Sequence, residues 1–224
     1  MGSDDLHRKR KERSLASFKR EIGKRAQYAR CLIICEDSKT SPSYFKEMCS
    51  HFGLHPANIE IKGCSFGTDA MSIIEEALEK YNLCEDYDDI FCVFDKEHTN
   101  YQQALGLIEK LRADGIPIHA IPSVPCIEYW FKLHFEDTDR PYVQAGKKSP
   151  AEQLKSEMRE HMGDYHPSNK HMFSKTKQYL PLAIERAKRI NKRQKKNGTD
   201  NPSTKVYELV EYLISMREST LNRP

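Results

Sequence analysis

Short apolar runs alternate with segments of helical periodicity through the first two thirds of the chain. Residues 31–35 and 90–94 are continuously apolar and bounded by polar residues, which is typical of strands buried on both faces of a parallel sheet. Residues 116–121 form a similar run, and residues 58–62 alternate well enough for a further strand. Between these runs, residues 68–81 place apolar side chains on one helical face. The pattern predicts an α/β fold with a mostly parallel sheet flanked by helices.

Helix boundaries are marked by capping residues. Ser41 followed by Pro42 predicts an N-cap and a first helical residue, and Gly53 predicts the end of that helix. Residues 101–111 form the next predicted helix, which ends before Gly115. Residues 127–135 also look helical, and further helix starts are predicted at Ser149, at Ser174 and at Ser203. Because no strand pattern is evident after residue 121, we expect a helical C-terminal third.

The net charge of +3 hides a segregation of charge along the 224 residues. Residues 1–30 carry a net charge of +6, residues 31–140 carry −11, and residues 141–224 carry +8. We therefore predict a basic N-terminal arm over 1–29, a catalytic core over 30–140 and a helical extension, packed on that core, over 141–224. Acidic residues flanked by basic ends suit a metal-binding domain that holds a polyanion.

No segment is apolar for the roughly 20 residues that a membrane-spanning helix needs, and the N-terminus does not have the form of a secretory signal. We expect a cytoplasmic protein with no membrane association. The seven cysteines form no C-x-x-C pair, and several lie within apolar runs. Reduced, buried cysteines are therefore favoured over a disulfide framework or a structural zinc site.

Acidic residues follow two of the predicted strands. Glu36 comes directly after the first strand, Asp95 directly after residues 90–94, and Glu97 two residues later. Because ligands gather at the carboxyl ends of strands in an open parallel sheet, we expect these side chains at one edge. Carboxylate oxygens bind Mg²⁺ (or Mn²⁺), which suits phosphodiester hydrolysis. Taken singly, each acid is equally typical of a helix cap or a turn.

Four blocks of the sequence, in this order, resemble RloB-like proteins. They are LIICEDSKTSPSYF at 32–45, VFDKEH at 93–98, SVPCIEYW at 123–130 leading to LHF at 133–135, and NPSTKV at 201–206. The resemblance implies a Toprim-like fold, as in the nuclease parts of OLD-type proteins, with Glu36, Asp95 and Glu97 holding metal. The family's acidic pair is usually Asp-x-Asp, so Glu97 departs from it by one methylene. The resemblance also implies a role in anti-phage defence, of the abortive-infection kind, beside an ATPase of the ABC or OLD-like type encoded nearby.

Other residues near this edge are candidates with alternatives. Glu128 follows the last predicted strand and is either a metal carboxylate or an acid in the first turn of a helix. Lys39 either neutralises phosphate charge near Glu36 or is a solvated lysine. His98 and His134 could move protons, but His134 lies four residues after Trp130 on an apolar helix, where a hydrogen-bonded core histidine is favoured.

A basic segment between residues 186 and 196 is the candidate nucleic-acid contact. Its predicted binding residues are Arg186, Arg189, Lys192, Arg193, Lys195 and Lys196. They either follow a phosphate backbone or form the exposed end of a helix, where the helix dipole favours cations.

Together these features predict a Mg²⁺-dependent Toprim-type nuclease acting on DNA or RNA. The predicted catalytic residues are Glu36, Lys39, Asp95, Glu97 and Glu128. The alternative is a non-catalytic regulatory module that senses a nucleotide or a nucleic acid. The sequence has no G-x-x-x-x-G-K-[ST] loop, so any ATP hydrolysis must come from a partner. The substrate type, the number of metals and the oligomeric state stay open.

Overall fold

The computed structural model describes residues 29–83, 87–96, 100–163, 165–166 and 171–221, with side chains as far as residue 219. Its strands are β1 (Cys31–Cys35), β2 (Ile59–Gly63), β3 (Asp89–Asp95), β4 (Ile118–Val124) and β5 (Ser203–Thr204). Its helices are α1 (Thr40–Phe52), α2 (Ala70–Leu83), α3 (Tyr101–Ala113), α4 (Glu128–Lys132), α5 (Pro150–Met162), α6 (Met172–Thr176), α7 (Leu180–Lys196) and α8 (Val206–Leu221). A 3₁₀ turn over Lys177–Tyr179 joins α6 to α7. No helix in these ranges has both the length and the apolar character needed to cross a bilayer.

The strands form one sheet in the order β2-β1-β3-β4-β5. The first four are parallel, and β5 pairs antiparallel with the end of β4. The predicted α/β fold with a mostly parallel sheet and C-terminal helices is therefore confirmed. That it is a Toprim fold stays a prediction.

Helices cover both faces of the sheet because the central strands are apolar on both sides. Alternate residues of β1 point to opposite faces, so Leu32 and Ile34 pack with α2 and α3. Ile33 packs on the other face in a cluster that includes residues of α1 and of all the helices from α4 to α8. Trp130 Nε1 donates to the Tyr44 hydroxyl at 2.9 Å and ties α4 to α1 inside this cluster.

The predicted end of β4 and the predicted start of α1 were wrong. Strand β4 runs to Val124 rather than residue 121, so its connection to α4 is short. Helix α1 begins at Thr40, and its first turn is held by Asp37, whose carboxylate accepts the backbone N–H of Lys39 at 2.8 Å and that of Ser41 at 3.0 Å. Ser41 is thus inside the helix and is not its cap, whereas Gly53 ends the helix at φ 69° as predicted.

The C-terminal third also contains one element that the sequence pattern did not predict. Ser203 lies in β5 rather than at a helix start, and α8 begins at Val206. The side-chain amide of Asn191 pairs with both backbone groups of Thr204, donating to its carbonyl at 2.8 Å and accepting its N–H at 3.2 Å. This amide therefore acts in place of a neighbouring strand and stabilises β5.

The other helix starts in this region were partly correct. Ser149 caps α5 as predicted, in a capping box with Glu152. Ser174 lies inside the five-residue helix α6 instead of preceding a helix. The predicted basic arm over 1–29 lies outside the described residues except for residue 29.

Candidate metal centre at the carboxyl edge of the sheet

Glu36 and Asp95 meet at the carboxyl edge, where β1 and β3 end side by side. The parallel register places Cys35 opposite Val93, and the Glu36 N–H continues the ladder to the Val93 carbonyl at 2.9 Å. The Glu36 carboxylate then accepts the backbone N–H of Asp95 at 2.7 Å through Oε2. The convergence predicted from the two strand ends is thus present for these two residues.

Asp95 also lies close to two side chains from the connection between β4 and α4. One ligand atom each from Asp95, Cys126 and Glu128 lies within 4.8 Å of the others. Asp95 is partly exposed, whereas Cys126 and Glu128 are 1% and 3% exposed. The group therefore has a buried side and an open side, and its three side chains are of kinds that bind metal ions.

Glu128 is a buried carboxylate with a neutral hydrogen-bond donor. The Tyr165 hydroxyl donates to its Oε1 at 3.0 Å. Burial, and then the negative charge of Glu128, raise the pKa of Tyr165 well above its usual value, so this hydroxyl stays a proton donor. Among the residues that the structure describes, no lysine or arginine forms an ion pair with Glu128. A buried carboxylate is costly without a compensating positive charge, which a bound cation would supply.

Helix α4 is anchored so that Glu128, its first residue, has a fixed position. Lys132 in the same helix is 3% exposed, and its ammonium group contacts Glu157 and the Tyr142 hydroxyl. Burial opposes the charge of Lys132, but the hydrogen bonds that it donates to Glu157 and Tyr142 outweigh this effect and raise the pKa of the ammonium group. Because Glu157 lies in α5, the charged lysine holds α5 against α4.

The connection that carries Glu36 is held by close packing against β2. A Cβ added to Gly63 would lie 2.5 Å from the Ser38 Cα and 2.9 Å from the Asp37 carbonyl oxygen. Only glycine fits this approach without moving backbone atoms. The end of β2 thus sets the path of the chain immediately after Glu36.

The remaining predicted residues at this edge have different outcomes. Glu97 and His98 lie outside the described residues. Lys39 is exposed at the start of α1, and its catalytic role stays a prediction. His134 is a core residue, as favoured: its Nδ1 donates to the Trp130 carbonyl at 3.1 Å, and burial lowers its pKa to about 4.

Cys126 and Tyr165 were missed as site residues by the sequence reasoning. Cys126 lies two residues before Glu128 in the block at 123–130, and its position two residues after the end of β4 could have identified it as a site residue. It was passed over because buried cysteines usually pack as small apolar groups. Tyr165 lies just after α5, 37 residues from Glu128 in sequence, and no local pattern connects the two. The six described cysteines form no disulfide bond with one another.

The predicted nucleic-acid residues on α7 fall into two groups. The arginines contact the chain itself: Arg186 donates to the Leu133 carbonyl at 2.7 Å, Arg189 pairs with Asp137, and Arg193 pairs with Asp139. The lysines are exposed to solvent, and they are Lys192, Lys195 and Lys196. Nucleic-acid binding by this segment stays a prediction, for which the lysines are the accessible candidates.

An ion pair connects the loop after α7 to the carboxyl edge of the sheet. Lys96, the residue after Asp95, places its ammonium group 2.7 Å from both carboxylate oxygens of Asp200. Asp200 follows Lys196 by four residues, and β5 then pairs with β4 beside Asp95. The end of α7, which carries the exposed lysines, is therefore connected to the carboxyl edge through Asp200 and β5.

A comparison with family models matched residues 31–213 to the family described as RloB-like protein. The match covers every element from β1 to most of α8 and includes Glu36, Asp95, Cys126 and Glu128. Neither the curated proteins nor the solved structures contained a match to the chain.

Proposed function

This chain belongs to the RloB-like protein family, and on that premise we propose that it is a metal-dependent nuclease that hydrolyses phosphodiester bonds of DNA or RNA in anti-phage defence. The observation that carries the proposal is the meeting of Glu36 and Asp95, which are 59 residues apart in sequence and are joined by a 2.7 Å hydrogen bond at the carboxyl edge. This edge is where open parallel sheets place their ligands.

The residues at this edge fit a divalent cation. Asp95 and Glu128 would hold Mg²⁺ or Mn²⁺ through carboxylate oxygens, with Glu36 beside them, and Glu97 is a further candidate two residues after Asp95. A bound divalent cation supplies Lewis acidity, which polarises a phosphodiester and lowers the pKa of a water molecule. Cys126 is the one member of the group that a Mg²⁺ site does not require.

The side chains of the site would divide the remaining work. The Asp95 N–H fixes one oxygen of Glu36, and the Tyr165 hydroxyl fixes one oxygen of Glu128, so both carboxylates are oriented before a substrate arrives. The buried side formed by Cys126 and Glu128 excludes water from that part of the group. Asp95 faces the open side, from which a phosphodiester would approach.

The positive charge for the substrate backbone would come from exposed lysines on the same side. Lys195 and Lys196 end α7 near the ion pair of Lys96 with Asp200, and Lys39 lies at the start of α1, three residues after Glu36. Such contacts neutralise phosphates without reading bases, so they suit either DNA or RNA. Activation by an ATPase encoded nearby is part of the proposal and is supported by the family resemblance alone.

A cleavage assay with matched carboxylate variants tests the proposal. The full chain would be incubated with single-stranded DNA, duplex DNA and transfer RNA in Mg²⁺ or Mn²⁺, with and without the neighbouring ATPase. We expect Glu36→Gln and Asp95→Asn to lower the cleavage rate by about 100-fold or more, because each removes a charge on which cation binding depends. Glu109→Gln, an exposed acid on α3, should cleave like the wild type.

Cleavage by Asp95→Asn at the wild-type rate would overturn the assignment of this edge. Binding of nucleic acid or of the ATPase without cleavage in any of these conditions would instead favour the regulatory module.

A further inference from the structure

We infer that Asp95, Cys126 and Glu128 form a mixed thiol and carboxylate site that binds a thiophilic divalent ion of the Zn²⁺ class, and that this ion competes with Mg²⁺ at the same edge. The first part depends only on the geometry of the three side chains. The second part, inhibition of hydrolysis by such an ion, rests on the proposed nuclease function.

The spacing of the three side chains suits a small tetrahedral ion. Their ligand atoms lie within 4.8 Å of one another before any ion is bound. A tetrahedral zinc site with bonds of 2.0–2.3 Å separates its ligand atoms by about 3.5 Å. Side-chain rotations that shorten the distances between ligand atoms by about 1 Å would therefore bring the three groups into coordinating positions.

The ligands come from elements whose positions are fixed. Asp95 is the last residue of β3, which pairs with a strand on each side. Cys126 and Glu128 flank the start of α4, where the Tyr129 N–H donates to the Cys126 carbonyl at 3.0 Å. Because these elements are held by the core, the three groups are already gathered, and binding costs little ordering of the chain.

Charge gives an independent reason for a cation at this position. Glu128 is 3% exposed, its described hydrogen bond is from a neutral hydroxyl, and no lysine or arginine in the described ranges pairs with it. A divalent ion would compensate the charge of Glu128. On binding, the Cys126 thiol would lose its proton to solvent as the bond between sulfur and the metal forms.

Cys126 decides which ions the site prefers. Thiolate ligands select Zn²⁺ and Cd²⁺ over Mg²⁺, whereas carboxylates alone suit Mg²⁺ and Mn²⁺. The partly exposed Asp95 leaves one side of the group open, so an ion there keeps a position for water. The same edge thus offers oxygen ligands for hard ions and a sulfur ligand for softer ones.

A cadmium titration of the metal-free full chain, kept reduced by a phosphine, tests the site without using activity. We expect one equivalent of Cd²⁺ to give the ultraviolet charge-transfer band of a cadmium thiolate. The band should be absent in Cys126→Ser and in Cys126→Ala, and Asp95→Asn should weaken cadmium binding by roughly tenfold or more. Cys64→Ser is the matched control, because Cys64 is a partly exposed thiol directly after β2 at the same edge, and its band should equal that of the wild type.

Thermal unfolding followed by circular dichroism would establish that each cysteine variant is folded. A band of full strength in both folded Cys126 variants, or no band in the wild type, would overturn the inference. Loss of the band in Cys64→Ser instead would identify Cys64, and not Cys126, as the cadmium ligand and would also overturn the inference.

The competing role is tested by Mg²⁺-supported cleavage in the presence of Zn²⁺. We expect an equimolar amount of Zn²⁺ to inhibit the wild type and the Cys64→Ser protein, and Cys126→Ser to resist inhibition by roughly tenfold or more. Equal inhibition of all three would overturn the competition. If the wild type binds Cd²⁺ but no condition yields cleavage, the nuclease proposal fails and the metal site stands.

Discussion

Glu76 is a residue whose charge stabilises one of the connections at the carboxyl edge. It is 1% exposed, and it accepts the N–H of Ser65 at 2.6 Å and the Ser65 hydroxyl at 2.9 Å. Lys62 in β2 forms an ion pair with it. Burial alone would raise the pKa of Glu76, but Lys62 and Ser65 outweigh this effect and lower it from 4.5 to about 2.

Replacement of Glu76 by glutamine should remove a stabilising contribution that depends on pH. Because the pKa is lower in the folded chain, the contribution is complete above the unfolded value of 4.5 and is lost as the pH falls toward 2. We expect Glu76→Gln to lower the free energy of unfolding by about 2 kcal/mol at neutral pH. Urea denaturation between pH 7 and pH 3 should show the difference from wild type shrinking.

The adjacent Glu75 provides the control for this measurement, since it is exposed on the same helix. Glu75→Gln should change the free energy of unfolding by less than about 0.5 kcal/mol. A difference between Glu76→Gln and wild type that stays constant with pH would contradict the linkage.

The packing of elements at the carboxyl edge depends on the approach of β2 to the connection between β1 and α1. Gly63 ends β2 directly against Ser38, two residues after Glu36. Asp37, between them, also holds the first turn of α1. The position of Glu36 is thus set by three elements at once, and a small change in one of them would displace it.

Substitution of Gly63 by alanine should therefore destabilise the protein and displace Glu36. The added methyl group would meet backbone atoms, and such overpacking costs about 1–3 kcal/mol. We expect Gly63→Ala to lower the midpoint of urea unfolding and, under the nuclease proposal, to reduce cleavage in the folded protein.

Gly106→Ala is the matched substitution. Gly106 lies in α3 with nothing within 4 Å of an added Cβ, so alanine should stabilise the helix by about 0.5–1 kcal/mol. Equal stability changes at the two glycines would show that the close approach at Gly63 is unimportant.

At the scale of the whole molecule, charge is arranged in two ways on α7. Arg189 and Arg193 pair with acids of the connection between α4 and α5, whereas Lys195 and Lys196 face solvent at the end of α7. The positive charge of α7 is therefore only partly available to a partner, through the lysines that face solvent.

Neutralising these two lysines should weaken nucleic-acid binding in a salt-dependent way. We expect Lys195→Gln combined with Lys196→Gln to lower affinity and to reduce the slope of log affinity against log salt by up to about two. Fluorescence anisotropy with a labelled single strand, measured over a series of salt concentrations, gives both quantities.

Lys110→Gln combined with Arg112→Gln is the control, because both residues are exposed in the last turn of α3, near the opposite edge of the sheet. An equal reduction of slope in the two double variants would mean that binding reflects total charge rather than the surface beside the site.

The sequence predicted the fold and part of the site for reasons that can be stated residue by residue. Glu36 and Asp95 were found because each directly follows an apolar strand, and parallel strands end at the same edge. The predicted end of β4, at residue 121, was too early because Pro122 follows and proline is not expected inside a strand, whereas β4 continues to Val124.

Strand β5 and the partner of Glu128 could not be predicted from local pattern. Two residues show no periodicity, and β5 exists because Asn191 and β4 satisfy its backbone groups. Tyr165 reaches Glu128 from 37 residues away. Both depend on how distant segments pack, which hydrophobic periodicity does not encode.

The apolar cluster beneath α1 joins residues from Cys31 in the first strand to Leu213 in the last helix. Neither the first strand nor the last helix completes this interior alone, since Ile33 and Leu209 belong to the same buried cluster. Transfer of the candidate metal centre to another scaffold would therefore also require the helices that come from distant parts of the chain.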